Sequence, residues 1–310
     1  MTQKKQRITL ISLVLVAVAL IASLTLTFGI FAQNQSSVQS LEVSPPSQEL
    51  QADPGQTLTA TAKVRNKSRE TIPLTVRVED FTASGDEGQV ALTEQGPYSL
   101  AKWAVLSPSS FSLAPGEEQI VTAKIKVPTN KVAGGYYGSF VFAVKAPQAQ
   151  GGGVATVGQE IASLFLLKIA GPVNEQLSLD SITAPAFSEF GPIPLNLKFT
   201  NNGNVHTKVY GLVNVSDMFG QKVSDIVVNQ TNVFPGASRQ IKATLDKQLL
   251  FGKYTTTAIM YYGTTKNETL TSVGSFIVVP YRIIALLVIV GALLYGMRKR
   301  LKKALRALTK

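Results

Sequence analysis

Few side chains in this sequence could carry out chemistry, and they do not form a recognisable catalytic arrangement. His206 is the only histidine, which excludes a multi-histidine metal site, and no Gly-x-Ser-x-Gly turn accompanies it as in many serine hydrolases. Asp86 and Glu87 lie in a glycine-bounded loop without the alternating ligands of a calcium loop. Residues 151–153 are glycines that lack the lysine and the helix of a phosphate-binding loop. We interpret His206 as a satisfied or solvated turn residue and the two carboxylates as solvated, and we expect no enzyme, cofactor or metal site.

Aromatic side chains are better candidates for a functional role than these polar residues, because they could contact a carbohydrate or a protein partner. Tyr136, Phe140 and Phe142 share one face of a predicted strand, because side chains alternate along a strand. One shared apolar face is typical of a sandwich core. Trp103 and Tyr137 fall outside that set and are the candidate ligand contacts. Core packing is the favoured alternative for both.

The positive charge is confined to the two ends of the chain. The net charge is +11, and eleven basic residues with no acidic one lie in residues 1–32 and 282–310. Residues 33–281 therefore hold 19 basic and 19 acidic residues. A nucleic-acid-binding protein would carry its basic residues on the folded domain, facing phosphate. The charge distribution thus argues against nucleic acid as a partner and indicates a membrane.

Cysteine is absent from the sequence. This excludes disulfides, thiolate metal sites and thiol nucleophiles together. Exported domains that are too small for a good core usually carry disulfides, so we expect the domains of this chain to be stabilised by burial alone.

Two hydrophobic segments predict export and anchoring. Residues 1–32 have a basic start and a long apolar run, typical of a signal peptide, with an uncleaved N-terminal anchor as the alternative. Residues 281–297 are long and apolar enough for a short transmembrane helix. Residues 298–310 form a basic tail, which the positive-inside rule places in the cytoplasm. The tail is either an amphipathic helix on anionic headgroups or a plain stop-transfer cluster. These segments predict a single-pass protein of the cell membrane with an extracellular ectodomain, whose contacts with lipid are made by the helix and the tail.

The region between these segments predicts β-structure. Alternating apolar residues recur between turns, and the order strand, Asn turn, strand, Pro-Gly turn, strand occurs twice. The spacing predicts two tandem immunoglobulin-like antiparallel β-sandwiches, at 41–171 and 172–280, in an all-β ectodomain followed by one transmembrane α-helix. The first copy is about 16 residues longer, since 49 residues separate Asn66 from Pro115 and 33 separate Asn202 from Pro235. We expect the extra residues in 83–97. Residues 160–169 are predicted to pair with 136–144 across a loop at 146–153.

Several of these motifs resemble one known family. They are Pro-Gly-Glu-Glu at 115–118, Gly-Gly-Tyr-Tyr-Gly-Ser-Phe-Val-Phe at 134–142, Asn-Gly-Asn-Val-His at 202–206 and Gly-Lys-Tyr at 252–254. Together with the order of the segments, they resemble WxL-interacting proteins, which are cell-surface proteins of Gram-positive bacteria. The resemblance implies binding to peptidoglycan or to a secreted surface protein. It carries no binding residue over to this sequence.

The leading functional hypothesis is a membrane-anchored extracellular binding or scaffold protein that presents its two domains to the cell wall or to a secreted protein. The alternative is an exported assembly chaperone or an accessory subunit of a membrane complex. An extracellular hydrolase is disfavoured because no catalytic constellation is present. We expect binding in domain one, whose loops at 83–97 and 146–153 are the unusual ones.

Overall fold

The structure is a computed structural model that describes residues 41–94, 96–145, 159–263 and 268–308, with side chains described as far as Arg298. The predicted signal peptide and the loop at 146–153 lie outside the described residues. Most described residues are in strands, arranged as two β-sandwiches within one compact unit. The predicted all-β fold with two tandem sandwiches is confirmed.

Sandwich one has a smaller and a larger sheet. The smaller sheet contains, in spatial order, β1 (Leu41–Ser44), β3 (Thr57–Asn66), β8 (Glu118–Lys126) and β6 (Ala104–Ser107). The larger contains β2 (Ser47–Ala52), β10 (Glu160–Ile169), β9 (Gly134–Val144), β4 (Ile72–Ser84) and β5 (Gln89–Thr93), with β7 (Ser110–Leu113) also beside β4. The antiparallel pairing of β10 with β9 confirms the predicted hairpin. Tyr136, Phe140 and Phe142 are buried in the core, as their shared face predicts.

Sandwich two repeats this plan with fewer strands. One sheet contains β11 (Leu177–Thr183), β13 (Ile193–Asn201) and β16 (Ser238–Leu245). The other contains, in spatial order, β12 (Phe187–Ser188), β18 (Glu268–Val278), β17 (Gly252–Tyr262), β14 (Thr207–Ser216) and β15 (Lys222–Val233). The core between them is apolar and includes fully buried Leu197, Phe199 and Met260.

The sandwiches are antiparallel, as predicted, except for one parallel pair at an edge of each. After β1, the chain crosses to the other sheet, where β2 pairs parallel with β10. After β11, it crosses in the same way, and β12 pairs parallel with β18. Alternation of apolar residues reports which face of a strand is buried but not the direction of its neighbour, so the sequence pattern did not reveal these pairs.

The repeated Asn turn is a buried hydrogen-bond network. Asn66 and Asn201 are both fully buried. Each amide donates to two backbone carbonyls and accepts one backbone N–H at 2.7–2.9 Å, with Glu70, Leu113 and Ser68 as partners of Asn66, and Val205, Val233 and Gly203 as partners of Asn201. The Pro-Gly turns close the network, because Gly116 and Gly236, at φ +78° and +70°, donate their N–H groups to the carbonyls of the two asparagines.

We expect Asn201→Ala to lower the free energy of unfolding by about 3 kcal/mol, because it leaves buried backbone groups without partners. The exposed neighbour Asn202 is the matched control, and Asn202→Ala should cost less than about 0.5 kcal/mol. Denaturant unfolding of the two variants in detergent compares them directly. If Asn201→Ala is as stable as Asn202→Ala, the hydrogen-bond network contributes nothing to the free energy of unfolding.

The extra residues of the first copy lie further along the chain than predicted. The β4–β5 hairpin of sandwich one corresponds to the β14–β15 hairpin of sandwich two. The first strand of each hairpin occupies the same place, because β4 pairs with β9 and β14 pairs with β17. The additional elements are a 3₁₀ turn (Ala101–Trp103), β6 and β7, which lie between β5 and β8. Both strands are short, and the alternation pattern needs longer runs to stand out.

The C-terminal helix α1 (Tyr281–Leu308) begins where predicted but continues through the basic tail. Residues Tyr281–Arg298 are long and apolar enough to cross a membrane, and none of this window is buried against the rest of the chain. At 1.5 Å per residue it spans about 27 Å. Since β18 ends at Val278, two residues separate sandwich two from the helix.

Candidate functional site

An aromatic cluster joins the two sandwiches. Tyr137 of β9 is only 2% exposed. Its ring centroid lies 5.7 Å from that of Phe81 in sandwich one and 5.0 Å from that of Phe234 in sandwich two. Phe234 also makes an edge contact with Phe81 at 5.4 Å. Tyr137 is therefore not an exposed ligand contact, because sandwich two covers the face of β9 that a single sandwich would leave in water.

The Tyr137 hydroxyl binds the predicted turn histidine. The backbone N–H of His206 donates to the Tyr137 Oη at 2.8 Å, and the His206 Nδ1 lies 3.3 Å from the same oxygen. Burial raises the pKa of Tyr137 and lowers the pKa of His206 to about 4. Both side chains are thus neutral near pH 7, and His206 has a structural role in the joint.

This burial predicts that stability falls as the pH falls from 6.5 towards 4. The unfolded chain protonates His206 near pH 6.5, whereas the folded chain does so only near pH 4. Between these values the unfolded state binds more protons, and the linked loss of stability is at most about 3 kcal/mol. His206→Gln removes this titration, so its stability should change less over the window. Thermal unfolding of the two proteins across this pH range measures the effect. If both lose stability equally as the pH falls, the loss does not come from His206.

The turn of the β4–β5 hairpin also contacts sandwich two. The Asp86 carbonyl accepts the Gln240 N–H at 2.5 Å, and the Asp86 carboxylate lies 3.9 Å from the Lys198 Nζ. Glu87 forms an ion pair with Lys242, and the hydrogen bond from that lysine lowers the pKa of Glu87. Asp86 and Glu87 are both exposed, and their polar partners come from the other sandwich.

The connection between the sandwiches is held by Asn204. Its amide nitrogen donates to the Ala133 carbonyl at 3.1 Å, and its amide oxygen accepts the Asn174 N–H at 2.9 Å. Its own carbonyl accepts the Gly135 N–H at 2.9 Å. One side chain thus ties the turn of sandwich two to both the linker and the start of β9, so the joint is fixed on several sides.

A cleft with a volume of about 470 Å³ opens beside this joint. Its charged residues are paired across or near the joint, Lys208 with Glu49 at 2.6 Å and Lys168 with Glu175 at 3.1 Å. Burial alone would raise the pKa of Glu49, but hydrogen bonds from Lys208 and Asn232 hold it below the ordinary value. Because its charges are matched, the cleft suits a polar partner without strong net charge.

Tyr210 is the aromatic residue that the cleft presents to solvent. It is 37% exposed on β14, and its ring centroid lies 5.8 Å from that of Tyr261 on β17. Exposed tyrosines combine a rigid apolar surface with a hydroxyl group and are common in binding sites. Tyr210 is not among the contacts predicted from the sequence, although alternation along 209–215 places it on the face opposite the core valines.

Trp103 lies away from both Tyr137 and the cleft. It is half-buried on the core of sandwich one, with its ring centroid 4.9 Å from that of Tyr136 and the Lys131 Nζ 5.4 Å above the ring. Buried Asp80 holds this segment by accepting the backbone N–H groups of Leu100 and Ala101 at 2.8 and 2.6 Å. The two predicted contacts thus do not form one site.

Comparison with known proteins finds no matching family model and no matching curated protein. Among solved structures, the chain is similar to the class 5 fimbriae chaperone CfaA at 16% identity and a TM-score of 0.39, covering 76% of this chain and 99% of that chain. It is similar to the CsuC–CsuE chaperone–tip adhesion subunit complex of Acinetobacter baumannii (10%, 0.37, 76% and 97%). The CupB2 chaperone of Pseudomonas aeruginosa is a third case (8%, 0.35, 76% and 100%). These similarities are distant, and neither a partner nor an activity carries over from them.

Proposed function

We propose that the chain is a membrane-anchored binding protein that holds two joined sandwiches outside the cell and contacts its partner at the cleft beside the joint. The observation that carries this is the joint itself. Aromatic packing, the Tyr137–His206 pair and three inter-sandwich ion pairs hold the two sandwiches together, and sandwich two is followed by an apolar helix. Such a joint suits the presentation of a preformed surface, since little ordering is required on binding.

The resemblance to WxL-interacting proteins supplies the candidate partners, a secreted surface protein or peptidoglycan. The cleft fits either, because its charges are matched and Tyr210 offers an aromatic surface to a polar chain. We expect weak dependence of binding on salt, since exposed charge does not dominate the site. This proposal moves binding from the loops of domain one to the boundary between the domains, because the hairpin at 84–88 is occupied by sandwich two.

An exported assembly chaperone is the second candidate, and an open sheet edge favours it. In sandwich one, β6 pairs with the outer side of β8. In sandwich two, the corresponding β16 pairs with β13, and no described strand pairs with its other side. The Asp86 carbonyl covers this edge at Gln240. The outward backbone groups of Lys242 and Thr244, two and four residues further, could accept a strand from a partner subunit.

A capture experiment tests the function and separates the two candidates. The full chain, solubilised in detergent, is immobilised and offered wall sacculi, secreted proteins and solubilised membrane subunits. We expect retention of wall material or a secreted protein, with about 10-fold weaker binding by Tyr210→Ala. Val227→Ala, at an exposed valine of the same sandwich, should bind normally.

Other outcomes of the capture experiment assign the chaperone function or overturn both. Thr244→Pro removes one outward N–H from β16 and is tolerated at a sheet edge. If the chain captures membrane subunits, and if Thr244→Pro abolishes this capture while Tyr210→Ala does not, the chaperone function is assigned. Binding that neither variant changes would overturn both proposed sites.

A further inference from the structure

The end of sandwich two nearest the helix carries five exposed apolar side chains. We call them the basal residues: Phe187, Met218, Phe219, Leu249 and Phe251. Phe219 is 79% exposed and Leu249 82% exposed. Soluble surfaces carry isolated apolar residues routinely, but a group of large ones on neighbouring loops marks an interaction surface.

The strand registers place all five residues at one end of the sandwich. Phe187 of β12 pairs with Ile277, one residue before the end of β18. β17 begins at Gly252, opposite Val278, directly after Phe251. β14 ends at Ser216, opposite Thr255 of β17, so the loop with Met218 and Phe219 leaves the sandwich at the same end. α1 also begins at this end, two residues after β18.

The loops that carry the basal residues are fixed by the fold. The Tyr254 hydroxyl hydrogen-bonds both the N–H and the carbonyl of Phe251, at 3.0 and 3.3 Å. Leu250 is buried in the core, so its neighbours Leu249 and Phe251 project to solvent. This arrangement fixes Leu249 and Phe251 in exposed positions.

The second loop is held in a similar way. The Asp217 carboxylate accepts the N–H groups of Phe219 and Gln221, both at 2.9 Å. Met218 packs over Gly252, where an added Cβ would lie 1.9 Å from the Met218 Cε and where φ is +102°. The positive φ is the feature that favours glycine at the start of β17.

We propose that the basal residues enter the interfacial region of the same bilayer that α1 crosses, so that sandwich two rests on lipid. The inference rests on the membrane anchoring in the proposed function. The main support is that β18 and α1 are almost continuous. Because α1 starts only two residues after β18, these loops lie at the level of the lipid headgroups. Arg282 strengthens the geometry, since its N–H and guanidinium bind the Glu189 carboxylate of a neighbouring basal loop at 3.1 and 3.3 Å.

The contact between the basal residues and lipid is stabilised by apolar burial rather than by charge. The basal loops present exposed Lys247 and Lys253 but also exposed Asp246, and Arg282 is paired with Glu189. Amphipathic surfaces with aromatic side chains bury a few ångströms into the headgroup boundary. Since the charges largely balance, the contact should form on neutral phosphatidylcholine as well as on anionic lipid.

Quenching of single tryptophans by brominated lipid tests the inference in the full chain. Trp103 is the only tryptophan, so Trp103→Phe gives a background without one. Phe219→Trp and Leu249→Trp are compared, in phosphatidylcholine proteoliposomes, with Val227→Trp on the exposed face of β15 and with Tyr295→Trp in α1. We expect the two basal tryptophans to emit to the blue of Val227→Trp and to be quenched most by bromine near the headgroup. Tyr295→Trp should be quenched by bromine on the acyl chain.

The controls distinguish the failure of this inference from the failure of anchoring. If Tyr295→Trp is quenched while the basal tryptophans behave like Val227→Trp, the inference is overturned and the anchor stands. If Tyr295→Trp is not quenched, the anchoring fails and the inference with it. Single cysteines at 219, 249 and 227, labelled with a polarity-sensitive fluorophore in the chain that keeps Trp103, give the same comparison should the tryptophan-free background fail to fold.

Discussion

Phe140→Ala is expected to lower the free energy of unfolding of sandwich one by about 3–5 kcal/mol. Phe140 is fully buried, with ring centroids 5.2 Å from Phe165 and 6.4 Å from Phe142. Removing the ring loses its apolar burial and leaves a cavity that the paired strands β9 and β10 cannot close by moving together, since their backbones are hydrogen-bonded. The loss is measured by denaturant unfolding of the full chain in detergent.

The control for Phe140→Ala is an apolar truncation on the surface of the same sandwich. Val105 of β6 is 72% exposed, and Val105→Ala should change the stability by less than about 0.5 kcal/mol. A loss below about 1 kcal/mol for Phe140→Ala would mean that the site is not a packed core.

Tyr137→Ala is expected to cost about 3–5 kcal/mol as well, but through the joint rather than one core. The change removes ring contacts to Phe81 and Phe234 and the acceptor of the His206 N–H. We therefore expect the two sandwiches to lose their coupling, so that a single calorimetric transition separates into two. Tyr137→Phe keeps the ring and should cost only about 1–3 kcal/mol, for the unsatisfied N–H.

A distance measurement checks whether the joint is lost. The chain has no cysteine, so spin labels at Val105→Cys and Val227→Cys report one distance between the sandwiches. We expect a narrow distribution in the natural sequence and a broad one in Tyr137→Ala. A distribution of unchanged width would show that the polar contacts of Asn204, Asp86 and Glu87 hold the joint without the aromatic cluster.

Phe140 and Tyr137 show what the sequence could and could not predict. Period-two alternation identified the core face of β9, because core burial depends on the local strand alone. The same alternation places Tyr137 on the opposite face, where core packing was favoured over a ligand contact without a covering partner being identified. In the structure β9 is buried on both faces from Gly134 to Phe142. The covering residues Phe234 and His206 lie about 70–100 residues away in the chain, and alternation contains no information about contacts between domains.

The candidate site was missed for a related reason. The cleft combines Glu49 of β2, Lys168 of β10 and Tyr210 of β14, and these residues meet only because the linker and the turn at Asn204 fix the joint. Asp86 and Glu87 are exposed, as is usual in a polar glycine-bounded loop, but alternation did not reveal that their partners lie in sandwich two. The Asn and Pro-Gly turns, in contrast, were predictable because each network closes largely within one sandwich.

Selective labelling of introduced cysteines tests most directly the claim that the two sandwiches stand outside the cell on α1. Val105→Cys places a thiol on exposed β6 of sandwich one, and Ala307→Cys places one in the basic tail. A membrane-impermeant maleimide is added to intact cells whose wall has been removed. We expect labelling of Val105→Cys in intact cells and labelling of Ala307→Cys only after the membrane is permeabilised. Labelling of Ala307→Cys in intact cells, or protection of Val105→Cys until permeabilisation, would contradict the account.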